Sequence, residues 1–143
     1  MIKLSKKVEY ALISIMHLED SSPSEPISVR ELVEDYKLPS ELLGKILQKL
    51  VKHNIVESVQ GVNGGYLLKT PLHEISLMDV ISIVDGPIKF TKCSSRHDAF
   101  CSCKQLKTCN IKNAIYHIQK DLVSYFESMT LDKFYNYKLK QFA

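Results

Sequence analysis

Pro39-Ser40-Glu41-Leu42-Leu43-Gly44-Lys45-Ile46-Leu47-Gln48-Lys49-Leu50-Val51-Lys52-His53, followed shortly by Gly61-Val62-Asn63-Gly64-Gly65-Tyr66-Leu67-Leu68, decides the fold. The first run puts Leu42, Leu43, Ile46, Leu47, Leu50 and Val51 on one stripe of a helix that opens at Pro39-Ser40 and runs to about His53. Proline suits the opening, since its missing amide hydrogen would lack a helical partner there anyway. The second run is a glycine-rich turn between two short β patterns, Ile55 to Gln60 and Tyr66 to Lys69, and predicts a hairpin.

Upstream, Ser28 and Glu31 make a capping-box pattern, and Val29, Leu32, Val33 and Tyr36 supply about two turns of amphipathic helix. A short helix, a tight turn and a longer helix form a helix-turn-helix, and a hairpin directly after it makes the motif a winged one. Before it, Val8, Ala11, Leu12, Ile15 and Met16 predict a helix from Ser5 to about Leu18, ended by the polar stretch Glu19 to Pro26. After the hairpin, Ser76 and Asp79 cap a further helix with Leu77, Val80, Ile81 and Val84 inward, ending at Asp85-Gly86-Pro87.

The pattern then changes. Residues 88 to 110 have little periodicity and carry all four cysteines, Cys93, Cys101, Cys103 and Cys109. From Ile111 onward, Ile115, Ile118, Leu122, Tyr125, Phe126 and Met129 approach a heptad seam, expected to pack on a partner subunit or on the chain's own first helix, with a homodimer favoured. The stretch from Phe134 to Ala143, with Tyr135, Tyr137, Lys138 and Lys140, reads as an uninformative tail expected to fray. The expected fold class is mainly α with a small β-hairpin. A winged helix-turn-helix DNA-binding domain covers 1–86, a cysteine-bearing loop 87–110, and a long dimerisation helix and tail 111–143.

Composition agrees with one folded unit: 143 residues, 45% hydrophobic and 24% charged. Net charge is +3, which permits a nucleic-acid partner without demanding one. Residues 1 to 70 balance nine Lys/Arg against nine Asp/Glu, and residues 71 to 143 hold ten against seven, so any case for DNA rests on local placement. No run approaches the roughly 18 apolar residues of a membrane span, and Met1-Ile2-Lys3-Leu4-Ser5-Lys6-Lys7 lacks the apolar centre of a secretory signal. A cytoplasmic protein with no membrane partner is expected.

On the third helix Lys45, Lys49, Lys52 and His53 form a basic stripe opposite the apolar face. It can lie along phosphates or simply be solvated, and its place in a helix-turn-helix favours the first. Ser40, Glu41 and Lys45 are best placed for base edges, because recognition helices read mainly with their first turns; capping is the competing role for Ser40. Gly44 offers only close approach. In the wing, Gln60, Asn63 and Tyr66 are candidates for minor-groove or backbone contact, while Gly64 and Gly65 serve either groove entry or the turn itself. With Ser28, at the entry to the second helix, these complete the DNA-contact candidates.

The cysteine gaps of seven, one and five residues are unlike paired zinc-ribbon spacing. Irregularly spaced thiolates can wrap an iron–sulfur cluster, and a set of reducible thiols is the rival. An enzyme fares worst, since no cysteine has an obvious paired base with a positioning third residue.

With these residues assembled, the chain resembles the Rrf-two family of regulators, which contains the iron–sulfur assembly repressor IscR, the nitric-oxide sensor NsrR and the cysteine-metabolism regulator CymR. The carriers are Leu4-Ser5-Lys6 with Glu9-Tyr10-Ala11-Leu12, the segment Leu47-Gln48-Lys49-Leu50 to Asn54-Ile55-Val56, and above all Gly61-Val62-Asn63-Gly64-Gly65-Tyr66-Leu67-Leu68. Ile75-Ser76-Leu77-Met78-Asp79-Val80-Ile81, the loop from Cys93, and Thr130-Leu131-Asp132 add support.

The resemblance implies a homodimeric transcription factor, a repressor in the leading reading, on a palindromic double-stranded DNA operator. It further implies a 4Fe-4S or 2Fe-2S cluster held by the loop and sensing nitric oxide, redox or iron–sulfur status. The alternative within the same fold is a metal-free regulator that answers to a protein partner or to thiol oxidation. Cys103 and Cys109 fit the family spacing; the interval from Cys93 is longer, which makes Cys101 a rival middle ligand. Where an IscR-like histidine would follow the last cysteine this chain has Lys112, so another fourth ligand is implied. By resemblance to NsrR that ligand is Glu9 of the partner subunit, a choice that leans toward 4Fe-4S, with His97 and His117 as weaker candidates. Gln60 stands where many members have Arg, and Gly44 stands at IscR's acidic recognition position, so the operator sequence does not transfer.

Overall fold

Six α-helices, a 3-10 turn and a two-stranded hairpin make up the described part of the computed structural model, residues 3–91, 103–104 and 107–141. In chain order they are α1 (Lys6–Asp20), α2 (Val29–Tyr36), α3 (Ser40–Lys52), β1 (Val56–Val59), β2 (Gly65–Leu68), the 3-10 turn Leu72–Glu74, α4 (Leu77–Val84), α5 (Lys112–Ser128) and α6 (Leu131–Gln141). No described helix is long and apolar enough to cross a membrane.

Local chemistry sets the helix starts. Ser5 caps α1 by accepting from the Val8 amide (3.3 Å), and Ser28 caps α2 by accepting from the Glu31 amide (3.2 Å). At α4 the box is complete: Ser76 Oγ accepts from the Asp79 amide (3.0 Å), while the Asp79 carboxylate accepts from the Ser76 amide (2.8 Å). Pro39 sits one place outside α3, as its N-cap, with no side-chain hydrogen bond to offer. In the α2–α3 turn Lys37 takes a left-handed conformation (φ 55°), which bends the chain sharply between the two helices.

One core unites these elements. Val8, Ala11, Leu12, Ile15 and Leu18 of α1 join Leu32 of α2, Leu43, Ile46, Leu47 and Leu50 of α3, Val56 of β1, and Leu77, Val80, Ile81 and Val84 of α4. The hairpin pairs Val56 with Leu68 and Val59 with Gly65 in antiparallel register. A third, single-residue strand joins it. The Tyr66 amide donates to the Ile27 carbonyl (2.8 Å) and the Ile27 amide donates back (3.0 Å), so the wing is stitched to the entrance of α2.

The C-terminal region corrects one expectation. The stretch read as a tail is the helix α6, docked on the 3-10 turn and on α1. Leu131 is fully buried, Phe134 and Tyr135 pack against the core, and Asp20 of α1 accepts from both the Tyr135 hydroxyl and the Lys138 ammonium. Sequence pattern missed it because the docking face holds only three apolar positions among lysines and asparagine. Ahead of it, the α5–α6 junction pairs with the start of α4: the Leu77 amide donates to the Met129 carbonyl (2.8 Å) and the Leu131 amide to the Ile75 carbonyl (2.8 Å).

By contrast α5 buries no residue within one subunit. Ile115, Leu122 and Phe126 are half-buried, while Ile111, Ile118 and Tyr125 are exposed. An apolar seam of that length left open to water is the mark of a helix awaiting a partner.

Candidate nucleic-acid interface

The apolar face of α3 is consumed by the core, so everything else on it points outward. Ser40, Glu41, Lys45, Gln48, Lys49 and Lys52 are exposed, and Gly44 is half-buried. Residues 40, 41, 44, 45 and 48 recur at helical spacing and form one strip along the front of the helix. Ser40 is the first helical residue rather than the cap, which removes capping as its role. The first-turn amides of α3 have no capping side chain, leaving donors free for an anion or for DNA.

The basic stripe is less free than its spacing indicates. Lys45 is held by Glu41 at 2.7 Å, one turn back. Lys49 reaches across to the Val84 carbonyl (2.9 Å), satisfying the last turn of α4 and fastening the recognition helix to it. Lys52 stays exposed, and His53 Nδ1 lies 2.9 Å from the Lys49 carbonyl.

Gly44 lies in mid-helix, and a Cβ placed there would meet nothing within 4 Å. No internal packing requires glycine at this position. A helical glycine costs about 0.5–1 kcal/mol relative to alanine, and no described contact at Gly44 offsets that cost.

The wing glycines have a different reason. A Cβ on Gly64 would lie 2.3 Å from the Val59 carbonyl oxygen, and one on Gly65 would lie 2.5 Å from that of Ile27. Close backbone approach excludes any side chain at both, and only Gly61 (φ 117°) needs the left-handed freedom of glycine. Ser28 is drawn to the same spot, its amide 3.0 Å from that Gly65 Cβ. The root of the wing and the cap of α2 are thus one unit. Gln60 and Asn63 are exposed on the loop, whereas Tyr66 is half-buried against the core.

Two exposed residues of the helix-turn-helix were not singled out by the sequence pattern. Gln48 continues the α3 strip one turn beyond Gly44, and Arg30 stands exposed on the first turn of α2, paired with Glu34 at 2.8 Å. The helical period from Gly44 was the available signal for Gln48. For Arg30 none existed until α2 and the wing were seen to meet.

A family model described as an iron-dependent transcriptional regulator, Rrf2, matches residues 4–137. The chain belongs to the Rrf2 family. Its winged helix-turn-helix is that of a DNA-binding transcription regulator, not an enzyme, and its partners are duplex DNA and a second copy of itself. Among relatives, the chain is 27% identical over 137 residues to the HTH-type transcriptional regulator IscR of Pectobacterium atrosepticum, covering 96% of this chain and 81% of that one. Among solved structures, CymR, the global cysteine regulator of B. subtilis, superposes with a TM-score of 0.74 at 23% identity, covering 96% of this chain and 98% of that one. IscR of T. potens gives 0.69 at 22% identity, covering 99% and 89%. At such identities both are likenesses of fold.

Of the candidate cluster ligands, Cys93 and Cys101 lie outside the described residues, as does His97. Cys103 and Cys109 are half-buried thiols, not disulfide-bonded. Glu9 is ion-paired with Lys6 at 2.6 Å and borders a groove of about 390 Å³ with Leu12, Ile13, Met16, Tyr36 and Phe134. Among the described residues no three His, Cys, Asp or Glu side chains gather into a metal-binding group. His117 is exposed, its ring against that of Tyr116.

Proposed function

We propose that this chain is a homodimeric, cytoplasmic repressor whose operator affinity is set by an iron–sulfur cluster in the 93–109 loop. The observation that carries the reading is the pair of half-buried, disulfide-free thiols Cys103 and Cys109 just ahead of α5, whose apolar seam stays part-exposed, in a family whose model is described as iron-dependent. Soft sulfur donors of this kind suit iron–sulfur chemistry. In this reading 1–86 read DNA, 87–110 hold the sensor thiols, and α5 joins the subunits while α6 returns to the reader.

When bound, the cluster supplies a centre that reacts with nitric oxide and oxidants and that reports iron supply. Cys103 and Cys109 would hold it, with Cys93 or Cys101 as the third thiolate and Glu9 of the partner subunit as the oxygen donor. The half-exposed Glu9 carboxylate, paired among the described residues with the flexible Lys6 of its own helix, is available for that role at small cost.

The chain's own residues provide a route from loop to reader. Cys109 stands three residues before α5, whose far end is pinned to α4 by the paired amides of Leu77 and Leu131. The other end of α4 is fastened to the recognition helix through Val84 and Lys49. A shift of α5 therefore reaches α3 through hydrogen-bonded joints, and it acts by giving the two loop states different affinities for DNA. On the DNA side, Ser40, Glu41 and Lys45 meet the major groove, with Lys49 at its edge. Gln60, Asn63 and Tyr66 face the adjoining minor groove, and Ser28, Gly64 and Gly65 hold the wing at its angle.

Anaerobic purification with iron and sulfide counting, beside Cys109→Ser and Glu9→Ala, tests the reading. A brown protein that loses colour in Cys109→Ser, and changes operator affinity on exposure to nitric oxide, bears it out. Colourless, iron-free protein from anaerobic cells defeats the cluster and leaves a DNA reader governed by thiol oxidation or a protein partner.

A further inference from the structure

The tip of the wing carries an apolar side chain that the protein itself does not use. Val62 has a relative exposure of 104%, so none of its surface is covered by the rest of the chain. Loop tips favour Asn, Asp, Gly and Ser, which hydrogen-bond locally or accept unusual backbone angles, and a β-branched apolar residue does neither. Val62 is nonetheless held firmly. The Gly64 amide donates to the Gly61 carbonyl (3.1 Å), closing a four-residue turn with Val62 and Asn63 at its centre. Neither central residue has a positive φ, as in a type I turn. Beneath it, Gly64 sits against the Val59 carbonyl and Gly65 against that of Ile27.

The wing is also poor in charge. Between Val56 and Leu68 there is no Lys or Arg, and the single ionisable acid is Glu57. Lys69, just beyond β2, is bonded to Asn54 Oδ1 at 2.7 Å. Phosphate attraction therefore contributes little at this end of the interface, and what the loop presents is the isopropyl group of Val62 flanked by the amides of Gln60 and Asn63.

We propose that Val62 is an apolar wedge through which the wing enters the minor groove and selects A·T pairs; this rests on the DNA-reading role given above. The floor of that groove offers only acceptors at A·T pairs, whereas G·C adds the exocyclic amino group of guanine. An isopropyl group packs against the first and, on the second, collides with a donor it cannot satisfy. Apolar wedges at base steps are an established means of minor-groove contact. Gln60 and Asn63 hydrogen-bond the acceptors on either side, and the turn presents all three already ordered.

The test is selection of binding sites by the full-length protein from duplexes randomised over about three helical turns, repeated with Val62→Ala and Val62→Ile. Wild type is expected to enrich A·T pairs beside each major-groove half-site, and Val62→Ile to keep that bias. Val62→Ala is expected to keep the major-groove preferences, lose the A·T bias, and bind the selected duplex about a hundredfold more weakly, about tenfold for the two buried carbons lost from each of the dimer's two wings. Its salt dependence stays that of wild type, because Val62 neutralises no phosphate. Since Val62 touches nothing, unchanged thermal unfolding will show that both variants fold. Unaltered site preference and affinity in Val62→Ala overturns the wedge while leaving the DNA reader standing; failure of wild type to enrich any sequence overturns the reader itself.

Discussion

Replacing Gly44 with alanine is expected to make this protein more stable and a poorer DNA binder at once. The new Cβ meets nothing within 4 Å, so the folded chain accepts it without strain. The gain is then the full difference in helix propensity, about 1 kcal/mol. For a chain of this size that raises the midpoint of thermal unfolding by about 4 °C. On the reading face the same methyl stands between Glu41, Lys45 and Gln48, where a duplex approaches. Spoiling one close contact in each half-site weakens binding by about tenfold or more. Thermal unfolding at one fixed protein concentration measures the first effect, since a dimer's midpoint depends on concentration. Duplex affinity at one fixed salt concentration measures the second. Unchanged affinity would show that DNA does not reach the front of α3 at Gly44; unchanged or lowered stability would show that some internal contact requires the glycine.

Two further outcomes follow from the C-terminal helix. Leu131→Ala removes a fully buried side chain where α5 turns into α6, and is expected to cost about 2–5 kcal/mol in denaturant unfolding. Partial burial pushes the Asp20 carboxyl up, but hydrogen bonds from Lys138 and Tyr135, helped by the charges of Lys138 and His17, outweigh it and hold the group below its ordinary 3.8. A carboxyl depressed in the folded state stabilises above its unfolded pKa, and that contribution is lost as pH falls through the folded value. Asp20→Asn is therefore expected to lower stability at neutral pH and to flatten the acid limb below about pH 4. With 40% of the Asp20 side chain exposed, solvent screening keeps the effect under about 1 kcal/mol. Equal pH profiles for variant and wild type would mean that α6 is not latched through Asp20.

Most of the reader was legible in the residues. The periodic apolar faces of α1, α3 and α4, the caps at Ser28 and Ser76, and the glycine turn of the wing are local features, set by side-chain entropy and backbone freedom within a few residues. The seam of α5 was legible too, because an apolar period that a single subunit leaves uncovered persists in the pattern whether or not its partner is present. The helix α6 was not. Its three inward residues make sense only once Asp20, more than a hundred positions earlier, stands opposite Tyr135 and Lys138.

The winged helix-turn-helix and the long, apolar-seamed helix after it could be read from the residues in order, since propensity, capping and periodicity act over short stretches of chain. How the individual side chains are used emerged with the packing of distant segments. Lys49 became a clasp on α4 instead of a free cation, Gly65 a point of contact with Ile27 instead of a mere turn, and Gly44 a gap that nothing inside fills. Those roles depend on which carbonyl or open space lies opposite, a matter of packing between distant segments that no local rule contains.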